Sequence, residues 1–246
     1  MLTKTLLFFS LLHLSALVEA QQSVQLLYKD YNINRSLKVD SSLIKMLQPY
    51  ADSLNKRMNE VIGFSNGVMY KKQPESALGN LMVDCLKIYS ERIFQTHVDA
   101  AILNYGGIRS YLPKGDIRLQ TIYELVPFDN LIVLQKMNGN TLHQLLDLMA
   151  NKGGWPLAGI SMKIKNKTAV DILINDLLLN DTTVYTIAVS DYLANGGDGC
   201  SMLKSIAQLS KNYLYRDALI DYIKSFTIAG KPVFANNENR VVNVTE

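Results

Sequence analysis

The chain has 246 residues, 48% of them hydrophobic and 19% charged, with a formal net charge of +3. That is enough apolar material for a sizeable core in one or at most two domains, and no linker, repeat or low-complexity tract divides it. The charge is mild and the lysines and arginines are scattered, which argues against a nucleic-acid-binding stripe.

The first twenty residues read as a secretion signal. MLTK carries one lysine, LLFFSLLHLSALV is apolar, and Val18-Glu19-Ala20 offers small residues at cleavage spacing. Cleavage after Ala20 is expected, leaving residues 21–246 as a single exported domain in a periplasm or outside the cell. The apolar stretch is too short for a spanning helix, and no later stretch is long and apolar enough to be one.

Residues 41–62 predict a helix. Ser41 or Ser42 would cap it, Leu43, Met46, Leu47, Tyr50, Leu54, Met58 and Val61 recur at helical spacing, and Gly63 would end it, with a kink or break at Pro49. Residues 75–90 predict a second amphipathic helix whose apolar face holds Leu78, Leu81, Met82, Cys85, Leu86 and Tyr89. Val98–Leu103 reads as a short buried strand, Thr121–Leu125 as a helical turn, and Leu131–Lys136 as a strand. Asn138-Gly139 turns the chain into a helix capped by Asn140 or Thr141, which runs to about Ala150 before Gly153-Gly154 breaks it. Ile160–Ile164, Ala169–Ile174 and Thr183–Val189 alternate or are β-branched and predict strands; Asp217–Ser225 predicts a short helix and Arg240–Val244 a last strand. Helices and strands are interspersed without a strict βαβ rhythm, so the expected class is α+β, a mixed β-sheet packed with helices.

Groups for autonomous hydrolysis are scarce. Only His97 and His143 follow the signal, no metal-ligand spacing such as Asp-x-His occurs, and there is no Gly-x-Ser-x-Gly elbow. Both histidines read as surface residues. Cys85 and Cys200 are expected to be buried free thiols, although an oxidising compartment permits a bridge. Sequons at Asn34, Asn166, Asn180 and Asn243 stand against roughly two expected by chance and do not decide between bacterial and eukaryotic export.

Binding groups are better supplied. NYGGIRS (104–110), LVPFDN (125–130) and SDYLANGGDGC (190–200) each follow a strand or short element. Paired glycines let the backbone approach a ligand closely. An arginine matches phosphate or carboxylate with a planar fork, an aspartate can accept two ribose hydroxyls, and two aromatics can hold a flat heteroaromatic ring, stacking being worth about 1–3 kcal/mol per base.

Taken together, LNYGGIRS, VPFDN and DYLANGGDG in that order resemble the C-terminal domain of the 5′-nucleotidase/UDP-sugar hydrolase family, over about residues 40–245. ESALGNLMVDCL (75–86) also fits that family's Glu-x-x-x-Gly-Asn-Leu-x-x-Asp helix. The resemblance implies that Asn104 meets the base edge or ribose and Arg109 the ribose–phosphate side. It implies that Phe128 and Tyr192 sandwich the base, that Asp198 takes the ribose hydroxyls, and that Gly106, Gly107, Gly196 and Gly197 shape the loops, with Asn195 also on the ligand. Tyr192 stands where many members have phenylalanine. Lys71-Lys72-Gln73 stands where relatives often place a second arginine, so Lys72 would supply charge without the bidentate fork. Cys200 replaces a common aromatic and reads as packing.

The family's metal-ligand domain has no counterpart in this sequence. The resemblance therefore implies a nucleotide- or nucleoside-binding half with no catalytic or metal-ligating residues of its own, its divalent metals expected on a separate metallophosphatase chain. Two other readings stay open: a non-catalytic exported nucleoside- or nucleotide-binding protein, and a vestigial fold whose slot is occluded.

Overall fold

The structure, a computed structural model, describes residues 27–31 and 39–244. The expected signal at 1–20 and the sequon at Asn34 lie outside the described residues. The chain divides into two units, Met1–Leu47 and Gln48–Glu246.

In the first unit the only described element is the start of helix α1 (Ser41–Met58). Its cap is Asp40 rather than a serine: the carboxylate accepts from the Ser42 N–H at 2.9 Å, the Ser42 hydroxyl at 2.6 Å and the Leu43 N–H at 3.1 Å. The helix runs through Pro49 as one element and stops at Met58. It is shorter than the pattern predicts, because Val61 and Gly63 belong to strand β1 (Val61–Ser65). Gly63 is there for packing: a Cβ would lie 2.6 Å from Cγ2 of Ile223.

The second unit carries the rest of the fold. Strand β1 pairs antiparallel with β3 (Gly115–Arg118) in a small separate sheet. The central sheet has the order β10-β4-β9-β2-β5. Its members are β2 (Ala100–Ile102), β4 (Leu131–Asn138), β5 (Leu157–Ala158), β9 (Val184–Ser190) and β10 (Gln208–Leu214). A third sheet has the order β11-β6-β7-β8, from β6 (Ile160–Lys165), β7 (Thr168–Ile174), β8 (Leu177–Leu178) and β11 (Val241–Asn243). Mixed sheets with helices against them make this an α+β protein. The pairs β1–β3 and β10–β4 are absent from the sequence reading, as are the short β5 and β8.

The central sheet separates two cores, as the period of a strand requires. Ala100 and Ile102 of β2 point into one cluster with Val133, Ile187 and Val189; Ala101 and Leu103 point into the other with Ile132, Leu134 and Ala188. Helices α2 (Ala77–Phe94), α3 (Leu119–Leu125) and α6 (Tyr215–Ile228) cover the second face, and α4 (Gly139–Asn151) covers the first. Ile102 is fully buried, and burial of such a side chain contributes roughly 1.5–3 kcal/mol. Cys85 and Cys200 are free and buried in opposite clusters. Burial pushes the Cys200 thiol up to about 11 and the Cys85 thiol well above its usual range.

The Glu-x-x-x-Gly-Asn-Leu-x-x-Asp helix proves to be a clamp on the C-terminal segment. Ser76 caps α2, accepting from the Gly79 N–H at 3.0 Å, and a Cβ on Gly79 would lie 2.8 Å from Pro156. Asn80 donates to Glu75 at 2.7 Å and to the Asn236 carbonyl at 2.9 Å, while Glu75 also accepts from the Glu238 N–H at 2.9 Å. Asp84 takes Arg240 in a two-pronged pair at 2.6 and 2.9 Å, a geometry that suits a guanidinium. None of these groups lines the cleft formed by the three glycine- and aromatic-bearing stretches.

Among the described helices, none is long and apolar enough to cross a membrane.

Candidate functional site

Sheet topology brings the three glycine- and aromatic-bearing stretches together. Strand β2 runs parallel to β9, with Ala101 opposite Ala188, and β4 runs antiparallel to β9, with Ile132 opposite Ser190. The chain leaving β2 (NYGGIRS), the chain leaving β9 (DYLANGGDG) and the chain entering β4 (VPFDN) therefore emerge at the same end of these three neighbouring strands. Asp191 joins two of them, its carboxylate accepting from the Leu131 N–H at 3.0 Å and the Tyr192 N–H at 2.9 Å.

Between these loops lies a cleft of about 260 Å³ lined by Asn104, Gly106, Gly107, Arg109, Phe128, Asn130, Tyr192 and Asp198. A larger groove of about 740 Å³ elsewhere is lined chiefly by apolar groups, among them Val68, Met69, Phe226 and Phe234. Size alone would favour that groove; the convergence of a carboxylate, a guanidinium, an amide and two aromatic rings favours the smaller one.

Each cleft residue has a local reason for its place. Asn104 precedes a 3₁₀ turn (Tyr105–Gly107), and its buried amide donates to Oδ2 of Asp198 at 2.7 Å. Its Oδ1 is buried without a hydrogen-bond partner and lies 2.7 Å from where a Cβ of Gly107 would sit, so only glycine at 107 leaves room for it. Arg109 is exposed; Nη1 donates to the Gly106 carbonyl at 3.3 Å, and the guanidinium carbon lies 5.9 Å from the centre of the Phe128 ring, near the outer limit for a cation–π contact.

Tyr192 lies on α5 (Asp191–Ala194), capped by Ser190. Its hydroxyl donates to Oδ1 of Asp198 at 3.1 Å and accepts from the Asp198 N–H at 3.2 Å. The ring rests on Gly197, where a Cβ would lie 2.5 Å from ring atoms. Asp198 itself has φ 52°, in the left-handed region that aspartate tolerates better than most residues. Phe128 and Tyr192 are 43% and 44% exposed, so much of each ring is open to a ligand.

The Phe128 loop is held from a distance. Arg216, buried at the start of α6, donates to the carbonyls of Val126 at 3.3 Å and Phe128 at 3.4 Å, pairs with Asp129, and lies over the Tyr123 ring at 4.4 Å. No sequence signal marks it: it falls one residue before the helix predicted over Asp217–Ser225.

Two of the expected ligand groups lie elsewhere. Asn195 accepts from Gln208 at 3.0 Å and does not line the cleft. Lys72 is exposed and also outside the lining. Its neighbour Lys71 reaches inward instead, donating to the Ile108 carbonyl at 2.6 Å over the Tyr105 ring at 4.4 Å. Desolvation first, and then the nearby Arg109, lower the Lys71 pKa. Gly197 and Gly196 act through their neighbours: Gly197 supports Tyr192, and Gly196 (φ 87°) makes room for Lys204. Asn130 and Asp191 are additions; both stand within the stretches that the sequence singles out. His97 and His143 are on the surface beside Glu91, Asp99 and Asp147, away from the cleft.

Among the described residues, no three His, Cys, Asp or Glu side chains come together as a metal-ligand set. The cleft's own donors, one carboxylate and amides, do not make such a set, and no metal-dependent step is assigned to them.

Comparison with known proteins fits this arrangement. The family described as "5′-nucleotidase, C-terminal domain" matches residues 57–205, more than half of the chain. A 5′-nucleotidase of Vibrio parahaemolyticus is 26% identical over 224 residues, which is 83% of this chain but 38% of that protein. An apyrase of Anopheles gambiae is 25% identical over 230 residues, 85% of this chain and 40% of the relative. Among solved structures, a 5′-nucleotidase precursor of Thermus thermophilus superposes with a TM-score of 0.71 at 25% identity, covering 84% of this chain and 44% of that one. The chain thus spans about two fifths of the length of these relatives. The mixed sheets, the three loops at one end of the central strands and the matched segment agree, and the chain belongs to the 5′-nucleotidase C-terminal domain family.

Proposed function

We propose that this chain is the nucleoside- and nucleotide-holding half of an exported 5′-nucleotidase-type phosphohydrolase. The base stacks between Phe128 and Tyr192, Asp198 accepts from the ribose, and Arg109 faces the phosphate side. The divalent metals and the activated water are contributed by a separate metallophosphatase chain. The observation that carries the reading is the convergence of two half-exposed rings, a carboxylate and a guanidinium around one cleft of about 260 Å³.

Calorimetry with adenosine, AMP and UDP-glucose tests the binding claim. Wild type should bind, and Phe128→Ala with Tyr192→Ala should lose at least about thirty-fold in affinity, since each stacked ring is worth about 1–3 kcal/mol. Undiminished affinity in the double variant removes the sandwich. The catalytic claim has its own assay: the chain alone should release no phosphate from AMP with Mn²⁺, Mg²⁺ or Zn²⁺, whereas adding a cognate metallophosphatase should raise release above that of the phosphatase alone. A lone chain that hydrolyses AMP, or a mixture that gains nothing, overturns it.

A further inference from the structure

We infer that the Tyr192 hydroxyl sets the sugar selectivity of the cleft, so that it takes 2′-deoxyribonucleosides nearly as well as ribonucleosides. This rests on the cleft being a nucleoside site, as proposed above.

A carboxylate has about four acceptor positions. It discriminates best for a ribose when the donors that the sugar hydroxyls replace are water molecules, which leave freely. Asp198 is not in that position. Asn104 already donates to Oδ2 at 2.7 Å, and the Tyr192 hydroxyl donates to Oδ1 at 3.1 Å. Neither donor is free to leave. Asn104 is buried between the end of β2 and Gly107. The Tyr192 hydroxyl is held from its other side by the Asp198 N–H at 3.2 Å, and its ring lies on the Gly197 backbone. Positions remain for a 2′-hydroxyl, but each oxygen already carries a fixed donor that offsets part of its charge, so the added hydrogen bond is weaker than one to an unshared carboxylate and its loss in a deoxy sugar costs little. Phenylalanine at 192 would keep the ring and its support while leaving Oδ1 to water and ligand.

The test titrates adenosine, 2′-deoxyadenosine and adenine into wild type, Tyr192→Phe and Asp198→Asn. The result is read as the ratio of adenosine to 2′-deoxyadenosine affinity, so that any common loss from a loosened ring cancels. The wild-type ratio should be within about three-fold. Tyr192→Phe should widen it by about five-fold, the order expected of one net hydrogen bond, and Asp198→Asn should bring it close to one. A wild-type ratio above about thirty-fold overturns the inference whatever the variants do, and so does a ratio that Tyr192→Phe leaves unchanged. Those outcomes differ from a wild type that binds none of the three compounds, which removes the nucleoside reading itself.

Discussion

The two aromatic arms of the cleft are built in opposite ways. The Tyr192 ring is placed by near neighbours: Ser190 caps its helix, Asp191 holds the Tyr192 N–H, Gly197 receives the ring, and Asp198 binds the hydroxyl. All of these partners fall within nine positions of one another. The Phe128 arm has no such local scaffold. Its carbonyls are satisfied by Arg216, 88 and 90 positions further along. One ring is thus set chiefly by its own turn, which Asn104 and the Leu131 N–H tie to the sheet through Asp198 and Asp191, and the other is shaped by a helix on the second core. The first should tolerate distant change and yield to local change; the second should do the reverse.

The largest effect is expected from Arg216→Met. The variant leaves the carbonyls of Val126 and Phe128 without their guanidinium, and buried groups that lose a partner cost about 1–3 kcal/mol each. Arg216 Nε is itself buried without an acceptor, so its removal recovers part of that loss. A net destabilisation of about 2–4 kcal/mol is expected from denaturant unfolding, with a nucleoside affinity loss of about thirty-fold as Phe128 loses its orientation. Hydrogen exchange should quicken at 126–130 and remain slow at 191–200. Equal acceleration in both loops would show that the arms are coupled rather than independently built.

Gly197→Ala attacks the other arm. Its Cβ would lie 2.5 Å from Cε1 and Cζ of Tyr192, so the ring must move. Overpacking in a core costs about 1–3 kcal/mol, but this ring is half exposed and can swing outward. The penalty should therefore appear in binding, about ten-fold in affinity, with less than about 1 kcal/mol in stability. A binding-neutral Gly197→Ala would mean that Tyr192 does not need its present place.

The same contrast explains what the sequence discloses. The Tyr192 stretch is legible because its glycines, cap and aspartate sit side by side. Strands β6, β7 and β9 are legible because their residues alternate or run β-branched, and β2 because it lies within a short apolar run. Strand β10 is not: every residue of Gln208–Leu214 is at least partly exposed, so no apolar period marks it. Strand β1 is misread as the end of α1 because Val61 falls in register with the helical pattern and Gly63 looks like a stop. Asn195 belongs to a ligand-like motif, yet its amide is drawn to Gln208 on the edge strand, a contact that only the sheet order creates. Arg216 is hidden for the same reason, its partners being set by how α6 meets the loop before β4.

The smallest effect separates the parts of the Arg216 anchor. Asp129 pairs with the guanidinium, but the Asp129 side chain is 75% exposed while that of Arg216 is 9% exposed. Water and salt screen the carboxylate's contribution, and exposed ion pairs are worth about 0–1 kcal/mol. The carbonyls of Val126 and Phe128, by contrast, have the same guanidinium as donor where water reaches less easily. Asp129→Asn should therefore cost less than about 1 kcal/mol, change nucleoside affinity by less than about two-fold, and show its small cost only at low ionic strength. If Asp129→Asn instead matches Arg216→Met in both unfolding and binding, the ion pair and not the carbonyl contacts orients Phe128, and this arm is governed by a surface charge rather than by the core.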